Sequence, residues 1–150
     1  MRSVHNVTRL AIISGLAIYG LIMRLAWHYY PRIGQPGVIL NHGIAFGLFS
    51  RLPQIGVIMA TAAVIALLLM MLWRMPSVRL PVSWILAGAI GNWTDRLLWG
   101  GVVDYWQLRP YPYIFNLADL VIRFGFILLV IQVYRQFRAE ESLWQSRSKV

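Results

Sequence analysis

The chain has 150 residues, 59% of them apolar and 13% charged, with a mean hydropathy of +0.61 and a formal net charge of +9. Ordinary soluble domains are about a quarter charged, so this balance excludes a soluble globule and a disordered chain, and it points to one integral membrane domain over residues 1–150. The excess of basic residues would suggest nucleic acid in a soluble chain, but here the basic residues flank apolar runs, where they set topology and meet anionic lipid headgroups, so no nucleic-acid partner is expected.

Crossing the hydrocarbon core takes about 20 helical residues. The first apolar run, Leu10 to Tyr30, is broken by Arg24 and predicts a transmembrane helix at about 9–29. It is long for a signal-peptide core and no small-x-small site follows, so an uncleaved helix is expected. The connection 30–54 is rich in glycine and proline, with Val38-Ile39-Leu40 and Ile44-Ala45-Phe46 between the breakers. That pattern predicts a small β-like element. Ile55 to Trp73 is free of charge and predicts a second helix at about 55–74. Leu80 to Val103 contains Asp95 and Arg96, Ile114 to Tyr134 contains Asp119 and Arg123, and these predict helices at about 80–99 and 115–135. Gly88 and Gly91 on the third helix suit close helix packing. The rest, 136–150, reads as a polar tail. The fold class expected is an all-α membrane protein of four transmembrane helices, with the β-like element between helices 1 and 2.

Eight basic residues fall on one side of this layout: Arg2, Arg9, Arg74, Arg79, Arg135, Arg138, Arg147 and Lys149. Arg32, Arg51 and Arg109 fall on the other. The positive-inside rule then puts both termini and the tail in the cytoplasm, and the connections 30–54 and 100–114 outside. Trp27, Tyr29, Tyr30, Trp99, Tyr105, Trp106, Tyr111 and Tyr113 suit an outer aromatic belt.

Three of the five acids, Asp95, Asp104 and Asp119, adjoin apolar runs. An ionisable group within a membrane is costly and is a functional candidate by default. At 1.5 Å per helical residue all three fall in one outer-leaflet layer, which lets Asp104 and Asp119 face each other across adjacent helices. Asn92, Asp95 and Arg96 sit at i, i+3 and i+4, and Asn116 and Asp119 at i and i+3, spacings that share a helix face. Each acid would thus have an amide nearby, and Asp95 a guanidinium with which it can form a structural ion pair. Two carboxylates in a partly dry site resist double ionisation. One can activate water while the other, protonated, polarises a carbonyl, as in aspartic proteases. The chain has no cysteine, which excludes a disulfide framework, cysteine-ligated zinc, iron–sulfur clusters and a cysteine nucleophile. The three histidines lack metal-ligand spacing, so no metal or other cofactor is expected.

Four segments carry a family resemblance. Asn41-His42-Gly43-Ile44-Ala45-Phe46-Gly47 resembles the N-x-G-x-A-F-G element of prolipoprotein signal peptidase (signal peptidase II). Gly88 to Arg96 resembles its G-x-x-G-N-x-x-D-R, Gly101-Val102-Val103-Asp104-Tyr105 its G-x-V-V-D-[FY] segment, and Phe115 to Ile122 its F-N-x-A-D-x-x-I. The resemblance implies a membrane aspartyl endopeptidase that removes signal peptides from bacterial prolipoproteins, cutting before the lipid-modified cysteine of the lipobox. It implies Asp104 and Asp119 as the catalytic pair, and Asn41, Gly43, Asn92, Asp95, Arg96 and Asn116 as substrate-binding or supporting residues. It also implies a multi-pass enzyme of the bacterial inner (cytoplasmic) membrane with an extracytoplasmic site, prolipoproteins and membrane lipids as partners, and a site that one chain completes as a monomer. In the first helix Gly20-Leu21-Ile22-Met23-Arg24 stands where many members carry D-x-x-[ST]-K, so the base is kept and the acid is missing. That departure motivates the alternative, a non-catalytic lipopeptide-binding or scaffold relative. A proton-coupled transporter is disfavoured by small size and the lack of an internal repeat.

Overall fold

The computed structural model describes residues 2–43, 53–110 and 112–147. Four helices dominate: α1 (Arg2–Tyr29), α2 (Gln54–Arg74), α3 (Arg79–Trp99) and α4 (Leu117–Arg147). Among the described residues, four short strands lie at one end of the bundle: β1 (Ile39–Asn41), β2 (Val102–Asp104), β3 (Trp106–Gln107) and β4 (Ile114–Phe115). The helix limits agree with the apolar runs to within two residues at most ends. The exceptions are α1, which begins earlier, and α4, which continues through the tail to Arg147. No glycine or proline follows Gly125, so nothing breaks α4, and its exposed end carries an Arg138–Glu141 pair at i,i+3.

The stretches Asn6–Arg32, Gln54–Arg74 and Leu117–Ser142 are each long and apolar enough to cross a membrane. Large apolar side chains such as Leu16, Met59 and Ile127 lie exposed on them, as lipid-facing surfaces require. The protein is membrane-embedded. α3 differs in kind. Its 21 residues reach about 31 Å, but it carries Ser83, Asn92, Thr94, Asp95 and Arg96, and α1, α2 and α4 all pack against it. A helix surrounded by protein can carry polar groups that a lipid-facing helix cannot.

Close approach at α3 depends on its glycines. A Cβ on Gly88 would lie 2.6 Å from Ile122 Cγ1 and 2.8 Å from the Ala118 carbonyl oxygen of α4, and one on Gly91 would lie 2.6 Å from Ile22 Cγ2 of α1. The Trp84 indole donates to Ser14 Oγ at 3.0 Å and that of Trp93 to the Ile58 carbonyl at 3.1 Å, which ties α3 to α1 and α2.

The β-like element is built differently from expectation. β1 does come from the first connection, but its partner is β2 from the second, antiparallel, with Ile39 opposite Asp104 and Asn41 opposite Val102. β3 and β4 form a second antiparallel pair, Trp106 opposite Phe115. A three-residue strand leaves its hydrogen-bonding groups open and needs a partner, and the chain supplies one by turning sharply after α3 at Gly100, whose φ of 72° is left-handed. The expected segment Ile44-Ala45-Phe46 lies outside the described residues, as do Gly47, Arg51 and Tyr111.

Candidate active site

The strands and the α4 N-terminus bring Asp104 and Asp119 to one cavity of about 710 Å³, bounded by α2, α3, α4 and the strands. Asp104 ends β2 and is 2% exposed. Asp119 stands in the first turn of α4, half-buried at the cavity wall.

Four amides hold the pair. Asn41 Nδ2 donates to Asp104 Oδ2 at 2.9 Å, and Asn116 Nδ2 donates to Asp104 Oδ1 at 2.8 Å. Asn92 Nδ2 donates to Asp119 Oδ1 at 3.2 Å, and the Asn116 backbone N–H donates to Asp119 Oδ2 at 3.3 Å. The side-chain amides cannot flip freely. Asn41 Oδ1 accepts the Gly43 N–H at 2.9 Å, and Asn116 Oδ1 accepts the Asp119 N–H at 3.0 Å, so each NH2 group is turned towards Asp104. Asn116 Nδ2 also reaches Asn92 Oδ1 at 3.1 Å, which links the two acids through one chain of amides.

The local sequence explains the placement of Asp119. Asn116 is the N-cap of α4 and Asp119 its third residue, and their reciprocal bonds form a capping box. The aligned peptide dipoles there favour a negative side chain. The i,i+3 spacing thus marks a helix start, with the amide and acid joined through backbone groups. Asp104 has the opposite setting. Burial pushes its carboxyl up to about 7; the Asn41 amide pulls down, the Asp119 charge pushes up, and Asn116 and Arg96 pull down.

The expected pairing at Asp95 is corrected. Asn92 turns to Asp119 rather than Asp95, and Asp95 Oδ2 accepts the Val103 N–H at 3.2 Å. Asp95 therefore holds β2, the strand that carries Asp104. Nor do Asp95 and Arg96 form a contact ion pair among the described residues, because successive helical side chains diverge. Arg96 donates to the Asn92 carbonyl and the Gly43 carbonyl, both at 2.9 Å, and so fixes the backbone beside Asn41. Arg123, one turn inward of Asp119, lines the cavity with its guanidinium 5.9 Å from the Phe115 ring centre.

Sequence reasoning gave Tyr105 to the aromatic belt, and the structure gives it a second task. It stacks on Tyr29 at 4.4 Å, and its hydroxyl accepts the Leu117 N–H at 3.1 Å. A buried hydroxyl, whose pKa burial raises to about 12, thereby anchors the start of α4. The signal was available in a hydroxylated aromatic directly after Asp104. His42 is exposed, and its ring pairs with the Gly100 carbonyl at 2.9 Å.

The arrangement offers two carboxylates of unlike setting at one cavity wall, joined by amides. Comparison with known proteins shows the family of the chain. Residues 7–135 match the family described as signal peptidase (SPase) II. The lipoprotein signal peptidase of Moorella thermoacetica is 40% identical over 98 residues, covering 62% of this chain and 63% of that one. The lipoprotein signal peptidase of Brucella ovis is 36% identical over 107 residues, covering 67% of each. The chain thus aligns with about two thirds of the length of these curated relatives. A bacterial membrane enzyme solved by the in meso method at 2.3 Å superposes with a TM-score of 0.70 at 23% identity, over 84% of this chain and 90% of the other. A second such structure, at 1.9 Å, gives 0.70 at 22%, over 83% and 92%. These two likenesses concern the fold.

Proposed function

The chain belongs to the signal peptidase II family, and from that premise we propose that it is a prolipoprotein signal peptidase working by a two-aspartate mechanism. The observation that carries the reading is the amide-linked pair, Asp104 and Asp119, on the wall of one cavity. Asp104, buried and raised to about 7, holds the shared proton at rest. It donates to the scissile carbonyl oxygen. Asp119, more open and at a helix N-terminus, is the base that takes a proton from water, whose oxygen attacks the carbonyl carbon. Collapse of the tetrahedral intermediate breaks the C–N bond, and the proton held by Asp119 passes to the departing amine of the lipid-modified cysteine. No acyl-enzyme forms.

All four helices span the bilayer, α3 as the protected central one, and residues 1–150 form one domain. Both termini lie in the cytoplasm of a bacterial inner membrane, so the strands and aspartates face the outer leaflet. The signal helix of the substrate enters from the side between α2 and α4, both of which line the cavity, and its lipid stays in the outer leaflet. Asn41, Gly43, Asn92, Asp95, Arg96 and Asn116 brace the pair and shape the cleft, and one chain suffices.

The test is a gel-shift assay with purified protein, a diacylglyceryl-modified prolipoprotein, and globomycin, the family's cyclic-peptide inhibitor. Wild type is expected to cleave and to be blocked by the inhibitor, while Asp104→Asn and Asp119→Asn fold but do not cleave. Turnover by either variant refutes the two-aspartate mechanism. Binding of the prolipoprotein without cleavage by folded wild type favours the lipopeptide-binding alternative.

A further inference from the structure

α1 and α2 both pack on α3, yet a groove of about 620 Å³ separates them at the end of the bundle away from the aspartates. Leu86 and Ala87 of α3 form its floor, and Leu16 of α1 and Leu69 of α2 stand on its walls. Among the described residues, no acidic residue lines it. At its rim Arg79 donates through Nε to the Leu72 carbonyl at 2.9 Å and through Nη1 to Thr8 Oγ1 at 2.8 Å. The guanidinium is thus held between the end of α2 and the start of α1. Arg74 ends α2 just before it, folded over the Trp73 ring at 4.8 Å, and Arg9 follows Thr8 on α1.

A hydrocarbon-lined groove at bilayer depth excludes water as its natural content, and the fixed positive charge at its rim selects among lipids. Basic pockets between membrane helices bind anionic headgroups by this complementarity. We propose that the groove holds an acyl chain of one anionic phospholipid from the leaflet that Arg79 faces, with the lipid phosphate against the Arg79 guanidinium. In the orientation proposed above this is the cytoplasmic leaflet, opposite to the leaflet of the substrate's lipid. The bound lipid closes the seam between α1 and α2 and leaves the α2–α4 side, proposed above as the entry route, for the signal helix.

The experiment measures the thermal midpoint of detergent-purified protein titrated with phosphatidylglycerol, or with phosphatidylcholine of the same acyl chains. A preferred ligand of the native state raises the midpoint, and a rise on the order of 5 °C is expected with saturating phosphatidylglycerol for a chain of this size. The neutral lipid should give clearly less. Arg79→Gln should lose the difference between the two lipids, and Leu69→Trp, which narrows the groove and leaves Arg79 in place, should lose the response to both. Native mass spectrometry should find one phosphatidylglycerol retained by wild type. Equal shifts from both lipids, no shift from either, or an undiminished phosphatidylglycerol preference in Arg79→Gln overturns the proposal. If Arg79→Gln gives no cooperative transition, a full response in Leu69→Trp overturns it. The readout involves no prolipoprotein, so a failure to cleave leaves this test intact, and a cleaving enzyme indifferent to headgroup charge removes the lipid site alone.

Discussion

Replacing Asn116 separates two jobs that one side chain performs. Its Oδ1 caps α4 by accepting the Asp119 N–H at 3.0 Å, and its Nδ2 donates to Asp104 Oδ1 at 2.8 Å. Asn116→Ala removes both. Loss of an N-cap costs about 1 kcal/mol, and depriving a buried acceptor of its donor costs about 1–3 kcal/mol, so a total of about 2–4 kcal/mol is expected. Asn116→Ser keeps an oxygen for the cap but is too short to reach Asp104, so it should recover about 1 kcal/mol, or roughly 2–4 °C in thermal midpoint. Both variants should lose cleavage alike, by about ten- to a hundredfold, if the missing donor to Asp104 is worth about 1.5–3 kcal/mol in placing it. The assay pairs thermal unfolding in detergent with single-turnover cleavage of a diacylglyceryl prolipoprotein. Equal midpoints for the two variants would refute the capping role, and wild-type cleavage by Asn116→Ser would refute the role of Nδ2.

With the Asp104 carboxyl at about 7, its proton is present below that pH and lost above it, so cleavage should fall on the alkaline side. Asn41 Nδ2 favours the ionised form, so Asn41→Ala should raise the pKa further and move that alkaline limb to higher pH; a limb that stays or moves down contradicts the assignment. Gly88→Ala should lower stability by about 1–3 kcal/mol and reduce cleavage, because its Cβ would lie 2.6 Å from Ile122 Cγ1 and displace the helix that carries Asp119. Gly20→Ala, with nothing within 4 Å of its Cβ, should do neither.

The helices were legible because apolar runs of membrane length have few other solutions, even where one or two ionisable residues interrupt them. Tertiary choices were not. Nothing in Val38-Ile39-Leu40 says that its partner is Val102-Val103-Asp104, since strand pairing joins residues far apart in the chain, as Leu40 opposite Val103. Side-chain direction was the second gap. Asn92 lies at helical spacing from Asp95, yet its amide crosses to Asp119, because a neighbouring helix offers an acceptor at 3.2 Å while Asp95 is drawn to the Val103 N–H. The capping box was legible in principle from Asn116 and Asp119 followed by an apolar run, but inclusion of Phe115 in the helix hid it. β4 takes that residue, and α4 starts two residues later.

The departure in the first helix bears on the choice between a cleaving and a merely binding protein. The acid missing from the family's D-x-x-[ST]-K element corresponds to Gly20, whose Cβ position faces open space, and Arg24 is exposed. By contrast, Asn41, Asn92 and Asn116 each donate to one of the two aspartates, and none of them comes from α1. The helix contributes through Ile22 packed at Gly91 and Tyr29 stacked on Tyr105, contacts that need neither the lost acid nor the retained base. Loss of that acid therefore changes the lipid-facing flank of α1 and leaves the amide network around Asp104 and Asp119 whole, which weighs the geometry towards a competent peptidase.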